Sequence, residues 1–384
     1  MAGVVVIGSG LAGYGVLREL RKLDKEAPLT LIAADSGDFY SKPMLSTALA
    51  KGKLAAELIT TPAAKMADQL KLTLLPRTKV ERIDLATRTI VCSGSNVTYD
   101  KLILALGAEP IRVRLGGDAA DAVLSVNDLD DYIAFREHLE GRKHIAMIGA
   151  GLVGSELAND LTHTGYRVTV IDPLATPMAA LLPPDVGVML RDALQKQGVD
   201  WCLGRSVKTV DRGGEGYVLG LSDGSTVQAD MVLSAVGLRS RTGLASTSGL
   251  EVNRGIMVDL RGRTSDLDVF AIGDCAEYPT GLAHFITPIM SAARGIAKSI
   301  LGNPADIVFP VLSVIVKTTA LPISLLKPNE TVQGEWVKTE DGPQGTVHLF
   351  RTAEGVIAGY VLTGEKSEQR PEFDAMVREQ LIAA

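Results

Sequence analysis

The sequence predicts an α/β chain: two parallel-sheet units of similar design, followed by a small C-terminal α+β domain. Three observations predict it. Continuous β-branched runs, Val4–Ile7 and Ile145–Ile148, each lead straight into a glycine-rich loop. A helix-periodic segment and a second apolar run follow each loop, Leu29–Ala33 in the first copy and Val168–Ile171 in the second, which closes a β-α-β unit. The copies begin at Gly8 and Gly149, 141 residues apart, which is too far for a solenoid repeat and suits two domains.

Each element has a local reason. Strands buried on both faces of a parallel sheet read as unbroken apolar runs, so Val4–Ile7 does not alternate. Beyond Gly13, the spacing of Val16, Leu17 and Leu20 marks one face of a helix, and the second copy is helical through Leu161. Three further runs end in glycine: Leu102–Leu106 at Gly107, Met231–Val236 at Gly237 and Val269–Ile272 at Gly273. Ligands of open α/β sheets gather beyond the carboxyl ends of strands, so these glycines mark places where backbone can approach a cofactor. From Phe309 onward the pattern changes. Strand-like runs are read at Val311–Val316, Thr346–Arg351 and Val356–Leu362, with a turn-rich segment at Thr339–Gly345. A closing helix sets Phe373, Met376, Val377 and Leu381 on one side.

Composition excludes several classes. At 384 residues, 46% hydrophobic and 22% charged, the chain is globular and has more than one domain. A net charge of −6 gives no electrostatic reason to expect nucleic-acid or anionic-membrane binding. Cys92, Cys202 and Cys275 share no metal or redox-pair spacing and read as small buried residues. His138, His144, His163, His284 and His348 likewise show no metal spacing, so no metal is expected. Apolar runs stop well short of a membrane span, and no basic region precedes the first strand. The expectation is a cytoplasmic protein.

The two loops, Gly8-Ser9-Gly10-Leu11-Ala12-Gly13 and Gly149-Ala150-Gly151-Leu152-Val153-Gly154, sit between strand and helix. That context marks a Rossmann-like dinucleotide fingerprint, with the pyrophosphate at the helix N-terminus. Ala34 and Asp35 follow the next run of the first copy, Asp35 lying 22 residues past Gly13, and Asp172 lies 18 past Gly154. A carboxylate there accepts from adenosine ribose hydroxyls. Asp35 lies two residues beyond its run, so an ordinary loop aspartate is its alternative reading. Asp172 favours a free 2′-hydroxyl, and no arginine follows it before Arg191, so NADH is expected over NADPH. Two dinucleotide sites with one nicotinamide suggest FAD in the other.

With these motifs, the chain resembles the FAD-dependent two-dinucleotide oxidoreductases of glutathione-reductase-like fold. Thr264–Asp274 is similar to that family's second FAD motif, which implies that Asp274 binds the ribityl chain. Tyr99–Ala108 is similar to its crossover strand, departing at Leu106, where threonine is usual. Val80 matches the position whose backbone meets the adenine edge. Phe39–Ser46 and Val316–Thr319 narrow the resemblance to the rubredoxin–NAD(+) reductase branch and the similar flavorubredoxin reductases. The disulfide branches carry cysteine beside the flavin, whereas this sequence has none between Met1 and Val91. The resemblance implies FAD and NADH as cofactors and direct single-electron transfer to rubredoxin. Flavorubredoxin or a [2Fe–2S] ferredoxin is the rival acceptor, and a non-catalytic NADH-sensing flavoprotein the rival of another class.

The implied division is FAD-binding at 1–110 and 243–310, NADH-binding at 111–242 and the C-terminal domain at 311–384. Gly107 joins the FAD set and Gly237 the NADH set. The resemblance puts Glu156 beside the nicotinamide. Lys42 is expected near flavin N5 in an ion pair with Glu156, or else as a solvated loop lysine. Thr287-Pro288-Ile289 reads as a capped helix start with proline first. Its dipole would serve flavin O2 near Ile289, or the helix merely packs the domain. Lys317 either meets the flavin or is an exposed sheet lysine.

Overall fold

The computed structural model describes residues 3–282, 286–310, 313–329 and 331–383. His284, Val311 and Leu312 lie outside the described residues, as do the side chains of Thr287 and Leu381. The chain divides into two compact units: residues 1–42, 55–109 and 238–310 form one, and 43–54, 110–237 and 311–384 the other.

In the first unit, five parallel strands lie in the order Val269–Ala271, Lys101–Leu104, Val4–Ile7, Leu29–Ile32, Thr73–Leu75. Val4–Ile7 is central, with every residue buried, as its unbroken apolar run requires. Helix Leu11–Leu23 turns Val16, Leu17 and Leu20 into the core, where Ala292, Ala293 and Ile296 of helix Ile286–Ile300 also lie. That last helix begins at Ile286, so Pro288 is its third residue and not its first. The shift costs little, because no amide of the first turn has an intrahelical partner.

The second unit repeats the design. Parallel strands run Val199–Leu203, Arg167–Asp172, His144–Ile148, Met231–Ser234, with helix Leu152–His163 after the glycine loop. Each copy also holds an antiparallel three-stranded meander with no apolar run to mark it in the sequence, at Val80–Thr98 and Val207–Ala229. Their short strands mix polar and apolar residues, leaving no continuous run to find.

The C-terminal sheet is antiparallel, in the order Val314–Val316, Ile323–Leu326, Ile357–Thr363, Gly345–Arg351, Glu335–Gly342. Val377, Phe373 and Met376 of helix Arg370–Ala383 pack on Tyr360 and Leu362. The expected turn Thr339–Gly345 is corrected: it is mostly strand Glu335–Gly342, paired to Gly345–Arg351. Lys338, Glu340 and Asp341 belong to an edge strand, where charge resists pairing with other chains, while Trp336 anchors it edge-on to Phe350 at 5.3 Å. Residues 43–54, read from sequence as part of the FAD segment, cluster with the second unit because their polar contacts lie on helix Leu152–His163.

In that unit, Asp185 accepts from the buried His348 ring at 2.9 Å and meets Lys338 at 3.3 Å. Burial alone would raise its carboxyl pKa, but the bonds from His348 and Lys338 outweigh it and hold the value below the ordinary one. A depressed carboxyl stabilises the fold above its unfolded value, about 3.9, and loses that contribution as pH falls through the folded one. Asp185→Asn is therefore expected to flatten the acid limb of a plot of Tm against pH below about pH 4. A limb as steep as wild type would contradict it.

Candidate functional site

Each cradle is built from the same parts. Gly8 and Gly149 adopt φ of +116° and +102°, and a Cβ would lie 2.2 Å from the Ala105 carbonyl oxygen and 2.7 Å from that of Ala235. Gly13 and Gly154 leave room for the carbonyl oxygens of Gly8 and Gly149. Chain packing alone thus accounts for the outer glycines.

The middle ones differ. Gly10 has φ −69° and Gly151 φ −70°, which suit any residue, and a Cβ at either meets nothing within 4 Å. No described residue demands glycine there, whereas a pyrophosphate lying against the backbone does. Both glycines start helices of 13 and 12 residues with no side-chain cap and no acid in the first turn, so the amides and dipole face an anion unopposed. The residues present fit a dinucleotide twice over.

The acids brace these loops. Asp35 Oδ1 accepts from Ser9 Oγ at 2.6 Å and from the Gly37 amide at 2.9 Å. Asp172 Oδ2 accepts from the Ala150 amide at 2.7 Å, and Oδ1 from that of Leu174 at 2.8 Å. Each carboxylate therefore stands at its glycine loop, though side chain makes the tie in one unit and backbone in the other. In the first unit, Gly107 takes φ +68°, Arg241 bonds the carbonyls of Leu106 and Gly107, and Ser240 bonds that of Asp274. Asp274 lies in the turn Gly273–Cys275, Ile289 is buried in the first turns of its helix, and Val80 begins a strand. Gly237, at φ +111°, accepts from the Ile111 amide in the second unit.

Helix Leu152–His163 is buried at every position from Gly154 to Leu161, including Ser155, Glu156, Asn159 and Asp160. Buried polar groups need partners, and each has one. Glu156 is 2% exposed. Its Oε1 accepts from the Lys317 amide at 3.0 Å, and its Oε2 takes the Ser46 hydroxyl at 2.6 Å and Lys317 Nζ at 2.9 Å. Lys317 Nζ also donates to Ser46 Oγ at 2.9 Å and to the Pro43 carbonyl, so its three hydrogens have three acceptors. Lys42 opens the short helical turn Lys42–Thr47, and the end of strand Val314–Val316 brings Lys317 onto Glu156, a pairing the sequence reading did not expect. Lys317 is correspondingly no exposed sheet lysine.

The sequence motifs assign no role to Ser46, Asn159 or Asp160. The available signal was polarity at positions 156, 159 and 160, one face of a helix whose neighbours are apolar.

Cys275 is fully buried, donates to the carbonyls of Leu104 and Ile272, and has its thiol pushed up to about 11 by burial. Cys92 is buried, whereas Cys202 is only half-buried, contrary to expectation. Among the described residues no group of His, Cys, Asp or Glu could hold a metal ion, and no helix is long and apolar enough to cross a membrane.

The chain belongs to the pyridine nucleotide-disulphide oxidoreductase family, which it matches over residues 2–296. Residues 306–377 match the rubredoxin binding C-terminal domain. Rubredoxin-NAD(+) reductase of Alcanivorax borkumensis is 40% identical over 97% of both chains. Nitric oxide reductase FlRd-NAD(+) reductase of Aeromonas hydrophila is 36% identical over 94% of this chain and 93% of its own. The fold is that of the ferredoxin reductase for the CYP199A2 system from Rhodopseudomonas palustris, with TM-score 0.88 and 23% identity over 97% of this chain and 93% of that one.

Proposed function

We propose that this chain is an NADH-dependent FAD flavoprotein that reduces rubredoxin, one electron at a time. The observation that carries the reading is a rubredoxin-binding C-terminal segment following two dinucleotide cradles. Overall, one NADH and two oxidised rubredoxins give NAD(+), one proton and two reduced rubredoxins. FAD, when bound, supplies the chemistry that links a two-electron donor to a one-electron acceptor.

The protein's part is to bind and orient. Residues 8–13 hold the FAD pyrophosphate, Asp35 with Ala34 the adenosine ribose, Val80 the adenine edge, and Gly107 and Asp274 the ribityl region. Lys42 and the helix start near Ile289 complete that set, the helix N-terminus offering positive potential to an anionic ring edge. Gly149, Gly151 and Gly154 hold the NADH pyrophosphate, Asp172 its ribose, and Gly237 and Glu156 the nicotinamide end. Lys317 serves through Glu156, whose carboxylate it fixes. The cytoplasm, where NADH is regenerated, is the proposed location.

A visible spectrum, taken anaerobically while adding NADH and then oxidised rubredoxin, tests the reading. Expected are a yellow protein, bleaching by NADH, and recovery as two rubredoxins are reduced per NADH. A colourless polypeptide that takes up no flavin, or turnover lost on blocking a thiol, would overturn it. The Aeromonas relative supports a second reading, in which the acceptor is the flavorubredoxin of a nitric oxide reductase; faster reduction of that protein would favour it.

Asp172→Ala removes both a ribose acceptor and the brace on the Ala150 amide. A hydrogen bond to a charged group is worth about 1.5–3 kcal/mol, so KM for NADH should rise about tenfold or more. Asp172→Asn keeps an acceptor for Ala150 while losing the charge, and should mainly relax discrimination against NADPH. Steady-state kinetics with both nucleotides check this, and unchanged values for both variants would remove Asp172 from the site.

A further inference from the structure

Glu156 draws its partners from two stretches of chain far apart in sequence: Ser46 from residues 43–54, and Lys317 from the segment after strand Val314–Val316. Neither stretch is held at that point by a sheet. Lys42–Thr47 is a short helical turn continued by turns at Ala48–Lys53, and Thr318 Oγ1 donates locally, to the Leu321 carbonyl. Something else must fix them, because a misplacement of about 1 Å is enough to spoil a reacting geometry.

The next turn of the same helix supplies it. Asp160 divides its carboxylate between two successive amides, Leu49 on Oδ2 and Ala50 on Oδ1, both at 3.0 Å. Asn159 Oδ1 accepts from Thr319 Oγ1 and from the Ala320 amide, both at 3.2 Å. Each side chain is 3% exposed. Spacings of three and four residues put all three polar groups on one helix face, so each segment is gripped twice: once at its functional residue by Glu156, and once three or so residues further on. Burial pushes the Asp160 carboxyl up against the pull of the two amides, so this acid sits in the interior at a cost that only its partners offset.

We propose that Asn159 and Asp160 are positioning residues for the NADH reaction: Asn159 holds Lys317, and Asp160 holds Ser46, in register with Glu156. The proposal rests on the function proposed above only in placing Glu156 at the nicotinamide. A residue that merely packs the helix would slow the reaction by the same factor whatever stands at position 317 or 46, whereas one acting through Lys317 or Ser46 would not. The two cases are separable by double-mutant cycles.

The test uses the flavin-loaded full chain. Flavin reduction by NADH is followed by anaerobic stopped flow for Asn159→Leu, Asn159→Asp, Lys317→Met and the Asn159→Leu/Lys317→Met pair. Asn159→Leu should slow reduction about tenfold in the wild-type background but less than about twofold beside Lys317→Met, and Asn159→Asp, which keeps the acceptor oxygen, should stay within about twofold of wild type. The parallel cycle pairs Asp160→Asn with Ser46→Ala. Independently of NADH, hydrogen exchange should quicken at the amides of Lys317 and Ala320 in Asn159→Leu, and at those of Leu49 and Ala50 in Asp160→Asn. Equal slowing in both backgrounds, failure of Asn159→Asp to rescue, or unchanged protection of those amides would overturn the proposal. Wild-type protein that NADH does not reduce would instead sink the functional reading, while the exchange measurement would still decide the positioning.

Discussion

Gly10→Val is expected to yield a folded protein that has lost its yellow colour. Valine suits the backbone at that point, since φ is −69° and ψ −175°, an extended conformation that β-branched residues favour. Its Cβ would touch no protein atom within 4 Å, so folding alone gives no reason for the variant to fail. What the isopropyl group takes is the space through which a pyrophosphate reaches the amides at the start of helix Leu11–Leu23. FAD retention should therefore fall at least about a hundredfold, with the melting temperature close to that of wild-type protein stripped of flavin. Gly13→Ala is the contrast. Its Cβ would fall 1.9 Å from the Gly8 carbonyl oxygen, so strand and helix must separate and the fold itself weakens. Gly151→Val should leave the colour and abolish bleaching by NADH, because the second cradle repeats the first. The flavin-to-protein absorbance ratio and a thermal melt check all three, and a yellow Gly10→Val protein would remove the first cradle from FAD binding.

Much of this was legible because the two cradles are local. A strand, a loop with three fixed glycines and a helix occupy some twenty consecutive residues, and the constraint on each glycine acts within that span or on the adjoining strand. Asp35 and Asp172 were legible for the same reason, since a parallel neighbour in register with Val4–Ile7 or His144–Ile148 must end beside the loop. The partner of Glu156 was not. That Lys317 meets residue 156 depends on where strand Val314–Val316 ends and on how residues 43–54 fold onto helix Leu152–His163. Nothing local encodes that choice. The edge strand Glu335–Gly342 escaped for another reason: its charged residues are what an edge requires, and the same residues read as a turn when no partner strand is in view.

The choice of Lys317 has a consequence that separates it from Lys42 without reference to any cofactor. Lys317→Met takes from the Glu156 carboxylate, 2% exposed, the ammonium at 2.9 Å and leaves it the Lys317 amide and the Ser46 hydroxyl as donors. Removing one member of a buried pair costs about 3–5 kcal/mol. The Lys317 side chain is 33% exposed, so water already screens part of the attraction, and the lower end, about 3 kcal/mol, is expected. Glu156→Gln should cost less, since its amide oxygen still accepts and the partly exposed ammonium keeps Ser46, Pro43 and water. The double variant Lys317→Met/Glu156→Gln should then recover part of the loss from Lys317→Met alone, because the uncompensated charge has gone, while NADH reduction of the flavin stays impaired in all three. Lys42→Met, by contrast, should leave that coupling intact. Melting temperatures of the four variants decide the matter: a double variant no more stable than Lys317→Met would mean that Glu156 does not depend on Lys317 for its charge balance, and a Lys42→Met coupling of equal size would return the role to Lys42.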